Sequence, residues 1–185
     1  MSAVRIIAPG EPMIDTVAAL LQPERRDYSR SIVVFPGKRP AHFLRKTLSE
    51  RDGSAIIPPR IFSIDHFIEF LYSEASGTRT PAIDPVDAVA LLYEVHLGLE
   101  PKLGNESYRS LDAFLPLALR LFGELEEVAL GDLSDRRIRE VLSAVDYPKF
   151  HSLASYYERF YAEATGRGLV TRSMMYRAVA DRFTE

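Results

Sequence analysis

The sequence contains no cysteine. This absence excludes disulfides, thiolate zinc sites and iron–sulfur clusters within the chain. No apolar run approaches the length that crosses a bilayer, and the first residues lack the charged-then-apolar layout of a signal peptide. We therefore predict a cytoplasmic protein with no membrane partner.

A strong charge of either sign is also missing, since the net charge is −3 over 185 residues. This value by itself argues against a strong general nucleic-acid binder. The distribution is uneven: residues 1–60 carry a balance of +4, and the remainder carries −7. The basic part is either ordinary solvated surface or a surface that faces DNA, and the charge count leaves both open.

The motifs of the common catalytic sites are absent as well. A phosphate-binding loop needs several glycines and a lysine. The turn that follows the first predicted strand, residues 8–12, has one glycine, no lysine and the carboxylate of Glu11. We predict that the chain does not bind ATP in the usual way. No serine has the flanking glycines of a nucleophile elbow.

The sequence contains no residue pattern that is typical of a catalytic metal site. Histidines fall on four different predicted helices without i, i+4 partners, which excludes a HExxH-type zinc site; they are His42, His66, His96 and His151. A two-metal nuclease site needs carboxylates brought together from strands, whereas Glu124, Glu126 and Glu127 follow an amphipathic helix and are interpreted as a solvated face. We predict no catalytic residue, no cofactor and no nuclease activity in this chain alone.

The hydrophobic pattern of residues 1–76 predicts an α/β domain in which strand and helix alternate three times. Predicted strands cover residues 4–8, 31–35 and, more weakly, 56–62, and each is followed by helical spacing. The continuous apolar run at 31–35 is typical of a strand buried on both faces. Ser63 is a good N-cap for the third helix. This order favours a small, incomplete parallel sheet with crossover helices.

A polar linker from about residue 73 to residue 85 leads to a different pattern. Asp84 and Pro85 open a helix by the cap-then-proline rule, and helical spacing continues through residues 84–185. Pro116 should kink its helix or delay its start, and Ser134 should cap a shorter one. We predict an all-helical subdomain over 84–185. The chain ends without a glycine or proline stop signal, so we expect it to be part of a longer protein.

One segment favours binding chemistry, namely the turn after the second predicted strand. Lys38 and Arg39 lie at the carboxyl end of a parallel strand, where open α/β sheets usually bind ligands. Backbone N–H groups at the following helix start favour phosphate. On these residues alone, a phosphate site and a turn with solvated cations are equally good interpretations.

The same segment carries a resemblance to a known family. Residues 32–45, IVVFPGKRPAHFLR, resemble the hydrophobic strand, Pro-x-[Lys/Arg]-Arg and helix near the start of AddB-type helicase–nuclease subunits. Residues 59–68, PRIFSIDHFI, resemble the second N-terminal landmark of that family, and RIIAPGEP at 5–12 resembles its version without a phosphate loop. The resemblance is best over residues 4–72 and much less diagnostic over the helical remainder.

The resemblance implies a domain like domain 1A of superfamily 1 helicases. It also implies a parent protein that carries a Mg²⁺-dependent PD-(D/E)XK exonuclease domain outside these residues and acts in double-strand break repair. The implied partners are DNA, single-stranded or a duplex end, and a helicase subunit. Because turns after neighbouring parallel strands lie side by side, we predict DNA-backbone contacts at Lys38 and Arg39, with Arg45, Lys46 and Ser63 as lesser candidates.

Two other functions remain open at this point. The first is a nucleotide-binding fragment of an ATPase or helicase with a degenerate phosphate loop, against which the turn at residues 8–12 weighs. The second is a protein–protein adaptor that uses its helical half. The basic balance of residues 1–60 weakly favours the DNA-binding scaffold over the adaptor.

Overall fold

The computed structural model describes residues 6–21, 26–104, 108–131, 134–144 and 152–184. Backbone contacts divide the chain into two compact units, Met1–Phe67 and Ile68–Glu185. Over the described residues the protein is a mixed α/β structure that is mostly helical, with a small parallel sheet. This confirms the predicted class at that level.

The first unit is built on one strand–helix–strand crossover. Its elements are α1 (Met13–Leu20), β1 (Ile32–Phe35), α2 (Arg39–Asp52), β2 (Arg60–Ser63) and the start of α3 (Ile64–Ser76). Strands β1 and β2 are parallel, in a register that pairs Ile32 with Arg60 and Phe35 with Ser63. Parallel strands require such a crossover connection, which α2 provides.

The sheet has two strands in the described part of the chain, where the sequence predicted three. The predicted strand at residues 4–8 is not formed at 6–8, and residues 4 and 5 lie outside the described residues. Ala8 to Glu11 form a turn instead, closed by a 3.1 Å hydrogen bond from the Glu11 N–H to the Ala8 carbonyl. Gly10 takes a φ of +97° there, a conformation that glycine adopts without steric cost.

Burial alternates along β1, so the expectation of a strand buried on both faces is wrong for the described residues. Val33 and Phe35 are buried, whereas Ile32 is 48% exposed. The buried face packs on a cluster formed with Ala18, Tyr28, Leu44 and Leu48. Only one face of the sheet is fully covered, because α1 and α2 both contribute to this single cluster.

A guanidinium joins the two helices of this cluster. Arg51, in the last turn of α2, donates to the Ala18 carbonyl near the end of α1 and to the Tyr28 hydroxyl. The Tyr28 hydroxyl donates to Asp52 at 2.9 Å. Burial raises the pKa of Tyr28, so the phenol stays protonated and keeps its donor. Arg51 therefore gives a second donor to the Ala18 carbonyl, which also accepts the Leu21 N–H at 3.3 Å at the end of α1.

The second unit is helical, as predicted. After the linker come α4 (Pro85–Leu97), α5 (Leu111–Leu130), α6 (Asp135–Ser143), α7 (Leu153–Gly166) and α8 (Arg172–Thr184). The predicted caps are confirmed: Asp84 accepts the Val86 N–H at 2.8 Å, and Ser134 accepts the Arg137 N–H at 3.3 Å. Pro116 lies inside α5 and does not delay its start.

Helices α4, α5 and α7 share a core that includes Leu92, Phe114, Leu121, Leu125 and Phe160. The core also holds a histidine. His96 is 1% exposed, and its ring stacks on Phe114 with centroids 4.4 Å apart. Such a histidine must find partners for both ring nitrogens.

His96 has both partners. Nε2 lies 3.1 Å from the Tyr108 carbonyl, and Nδ1 lies 2.6 Å from the Tyr156 hydroxyl. A carbonyl only accepts, so Nε2 carries the proton and Nδ1 accepts from Tyr156. Burial lowers the pKa of His96 and raises that of Tyr156 to about 12. The Tyr156 oxygen also accepts the Leu103 N–H at 3.3 Å. The network thus fixes the loop after α4 on the core.

A second buried polar group corrects the sequence interpretation of the acidic run on α5. Glu124 and Glu127 are exposed as predicted, but Glu126 is 8% exposed. Its carboxylate accepts the Ser173 N–H at 2.9 Å, the Ser173 hydroxyl at 2.6 Å and the Tyr161 hydroxyl at 2.8 Å. Glu126 therefore satisfies the N-terminus of α8 from a distant helix, at the end where a negative charge is favoured.

Candidate nucleic-acid interface

The candidate interface lies where β1 and β2 end. Because the strands are parallel and Phe35 pairs with Ser63, α2 and α3 both begin at one edge of the sheet. This confirms the expectation that the turns after the two strands lie side by side. The carboxyl edge of a parallel sheet is where such folds commonly hold ligands.

The first turn of α2 presents two cations and has no side-chain cap. Lys38 is the N-cap residue, makes no side-chain cap, and is followed by Arg39 and Pro40 in the first turn. The turn contains no acidic residue, and both cations are exposed. Pro40 has no N–H and the Ala41 N–H donates to the Lys38 carbonyl at 3.3 Å, so the two exposed positive charges are what favours an anion such as phosphate at this helix start.

Ser63 is differently placed. It is 7% exposed, and its hydroxyl accepts the His66 N–H at 3.4 Å, which confirms its predicted role as a helix cap. The hydroxyl is therefore engaged below the surface, and Asp65 adds a negative charge in the first turn of α3. Of the two helix starts, only that of α2 combines exposed cations with the absence of a carboxylate.

The remaining two predicted cations lie on different sides of α2. Arg45 and Lys46 are both exposed. At about 100° per residue, Lys46 lies within about 20° of Arg39 around the helix axis, while Arg45 lies about 120° away from Arg39. Lys46 also makes a 3.7 Å ion pair with Glu50, and at such high exposure this pair contributes little. Lys46, rather than Arg45, therefore lies on the face of α2 that also carries Arg39.

One further residue of this surface is not among the residues predicted from the sequence. Phe43 is adjacent in the chain to the core residue Leu44, yet it is 62% exposed while Leu44 and Leu48 are fully buried. The spacing of the apolar residues in the sequence indicates that Phe43 is exposed. Leu44 and Leu48 are an i, i+4 pair, whereas the residues three and four positions after Phe43 are polar, so Phe43 faces away from the core.

The histidines are not gathered into a site. His42 and His66 are exposed, and His96 is fully buried in the second unit; His151 lies outside the described residues. Within the described ranges, no three His, Asp or Glu side chains are arranged so that they could hold a metal ion. No helix in those ranges is long and apolar enough to span a bilayer.

A cleft in the second unit has a volume of about 190 Å³. It is lined by Ala129, Tyr157, Tyr161, Thr165, Ser173, Met174 and Arg177. The Tyr161 and Ser173 hydroxyls are already engaged by Glu126, and burial together with that carboxylate raises the pKa of Tyr161. These two hydroxyls therefore help to hold the N-terminus of α8 against Glu126.

The α2 start is therefore the best binding surface that the described residues offer. Comparisons of the chain with protein-family models, with curated proteins and with solved structures find no match.

Proposed function

We propose that this chain is a non-catalytic, DNA-binding scaffold segment of an AddB-like exonuclease that acts in double-strand break repair. The observation that carries the proposal is the α2 start, where Lys38 and Arg39 stand exposed at the carboxyl edge of a parallel strand pair. Contacts of this kind bind the phosphate backbone and carry no sequence information.

The nucleotide-binding alternative is less well supported. Its phosphate would have to sit at residues 8–11, where one glycine makes the turn and Glu11 is exposed. A carboxylate at that position repels phosphate, and the turn has no lysine to attract it. Calorimetric titration with Mg-ATP is expected to give no heat of binding. Micromolar binding would restore this alternative.

The DNA proposal predicts a specific salt dependence. The double variant Lys38→Ala/Arg39→Ala of the full chain should bind a fluorescently labelled single-stranded oligonucleotide on the order of tenfold more weakly, because the variant cannot pair with two of the phosphates. The slope of log K against log salt should fall by about 0.7 for each phosphate that is no longer neutralised. Fluorescence anisotropy over a salt series measures both quantities.

The matched control removes two exposed arginines from the second unit, Arg120→Ala with Arg182→Ala, and so changes net charge equally. It should retain the wild-type affinity and slope. If both double variants behave alike, long-range charge explains the binding and the α2 start has no special role. If neither differs from wild type, the cations are solvated surface and the proposal is wrong.

A second candidate, the adaptor, is favoured by one feature of α5. Leu111, Leu115 and Leu119 follow each other at i, i+4 spacing and are 43%, 39% and 46% exposed. A continuous apolar stripe on a helix is typical of a protein contact. Leu115→Glu with Leu119→Glu should then abolish co-elution with a helicase partner subunit in size-exclusion chromatography. Unchanged co-elution would remove the support that this stripe gives.

A further inference from the structure

We infer that Phe43 is a base-stacking residue. It would make the face of α2 that carries Arg39, Phe43 and Lys46 selective for unpaired nucleotides. The inference rests on the proposed function, because a stacked base presupposes that the α2 start holds a nucleic-acid backbone. It adds to that function a residue, a contact and a preference for single strands over duplex.

The first observation is the exposure of Phe43 compared with that of the other Phe and Tyr side chains in the first unit. Among described residues 6–67, Tyr28 is 1% exposed and Phe35 4%, while Phe62 and Phe67 are partly buried and pack on each other with ring centroids 5.8 Å apart. Phe43 is 62% exposed and belongs to neither hydrophobic cluster. Its ring is available to a ligand.

The second observation is the charge around that ring. Arg39 precedes Phe43 by four residues and Lys46 follows it by three, so the three lie on one face of α2 and each cation is within about one turn of the ring. Both cations are exposed. The nearest acid on this face is Glu50, which is highly exposed and paired loosely with Lys46. The ring is thus placed between two cations near the phosphate-favouring start of α2.

An exposed aromatic ring among cations has a well-defined use. Proteins that bind single strands stack bases on aromatic side chains while cations follow the backbone. Every base has a π-face, so stacking tolerates any sequence. A base inside a duplex is stacked on its neighbours and is not accessible to a protein ring. Phe43 should therefore contribute to single-strand binding and leave duplex binding unchanged.

The experiment pairs Phe43→Ala in the full chain with the removal of bases from the ligand. Wild-type protein should bind a labelled oligothymidylate on the order of tenfold more tightly than Phe43→Ala does. The slope of log K against log salt should be the same for both proteins, because Phe43 carries no charge. An abasic oligonucleotide of equal length should bind wild type and variant equally. Duplex affinity should not change, so the preference for single strands should fall with the substitution.

A fluorescence reading complements the affinities. The chain has no tryptophan, so Phe43→Trp carries a single indole at the candidate position. Saturating oligothymidylate should quench its emission, and the abasic oligonucleotide should not. Leu115→Trp, at an exposed position of the second unit, serves as the matched control and should not be quenched.

Arg45→Ala, on the side of α2 opposite Phe43, should weaken single-strand binding less than Lys46→Ala.

The outcomes separate the two claims. If Lys38→Ala/Arg39→Ala weakens binding while Phe43→Ala does not, the proposed function stands and the stacking inference is overturned. If the wild-type chain binds no single strand, both are overturned. If Phe43→Ala lowers the melting temperature or changes the oligomeric state, the ring is covered by protein in solution, and this too overturns the inference.

Discussion

One acidic group of the second unit and two cations of the first unit show how differently charged residues can be placed. In the second unit Glu126 is buried and accepts three hydrogen bonds. In the first unit Lys38 and Arg39 remain exposed at a helix start. A buried carboxylate that is fully hydrogen-bonded stabilises the fold, and its removal leaves donors unsatisfied. An exposed cation contributes almost nothing to stability and is available for binding. The difference separates residues that maintain structure from residues that can hold a ligand.

The largest expected effect is the loss of Glu126. Glu126→Ala should lower the free energy of unfolding by about 3 kcal/mol, because the Ser173 and Tyr161 donors lose their acceptor inside the protein. Glu124→Ala, at an exposed position on the same helix, should change it by less than about 0.5 kcal/mol. Urea denaturation measures both. Equal effects would mean that Glu126 is as solvated as its neighbour.

The next effect concerns pH and His96. Burial lowers the pKa of His96 in the folded protein, so the unfolded chain takes up a proton first as pH falls. The stability that the neutral ring provides is complete above the unfolded pKa of about 6.5 and declines as pH falls below it.

Two charged groups also act on the pKa of this ring: Lys102 lowers it further, and Glu100 opposes the shift. Urea midpoints between pH 8 and pH 5 should fall more steeply for wild type than for His96→Gln. His42→Gln, which changes an exposed histidine, should retain the wild-type pH profile. A His96→Gln profile parallel to that of wild type would contradict a buried neutral ring.

A smaller effect is expected for the arginine that joins α1 to α2. Arg51→Ala should cost about 1–2 kcal/mol, because the Ala18 carbonyl and the Tyr28 hydroxyl lose a charged donor. Arg45→Ala, on the same helix but exposed, should cost less than about 0.5 kcal/mol. Thermal melts of the two variants test this contrast. Similar melting temperatures would show that the Arg51 hydrogen bonds contribute no net stability.

The smallest stability effect belongs to the candidate interface itself. Lys38→Ala with Arg39→Ala should alter the free energy of unfolding by less than about 0.5 kcal/mol, since neither side chain caps α2 or is buried. Differential scanning calorimetry is the check. A loss above about 1 kcal/mol would place these residues with Glu126, as structural groups, and any loss of DNA affinity would then be secondary to unfolding.

The sequence by itself determined the helices and the two paired strands of this protein, although not the absence of a strand at residues 6–8. Apolar spacing located the described helices, and the short side chains of Asp84, Ser134 and Ser63 fixed where three of them begin, because caps act on neighbouring backbone groups. The sequence also placed Lys38 and Arg39 after a strand, and strand direction follows from a crossover helix.

Tertiary structure alone decided which residues are buried. Glu126 and its exposed neighbours Glu124 and Glu127 look alike in sequence. Glu126 differs because the N-terminus of α8 packs against it, and its partner Ser173 lies forty-seven residues further along the chain. Leu44 and Phe43 are both large and apolar, and the cluster shared with α1 and β1 includes Leu44 and leaves the Phe43 ring exposed. Local propensity specifies backbone conformation, whereas burial depends on contacts between residues far apart in the chain.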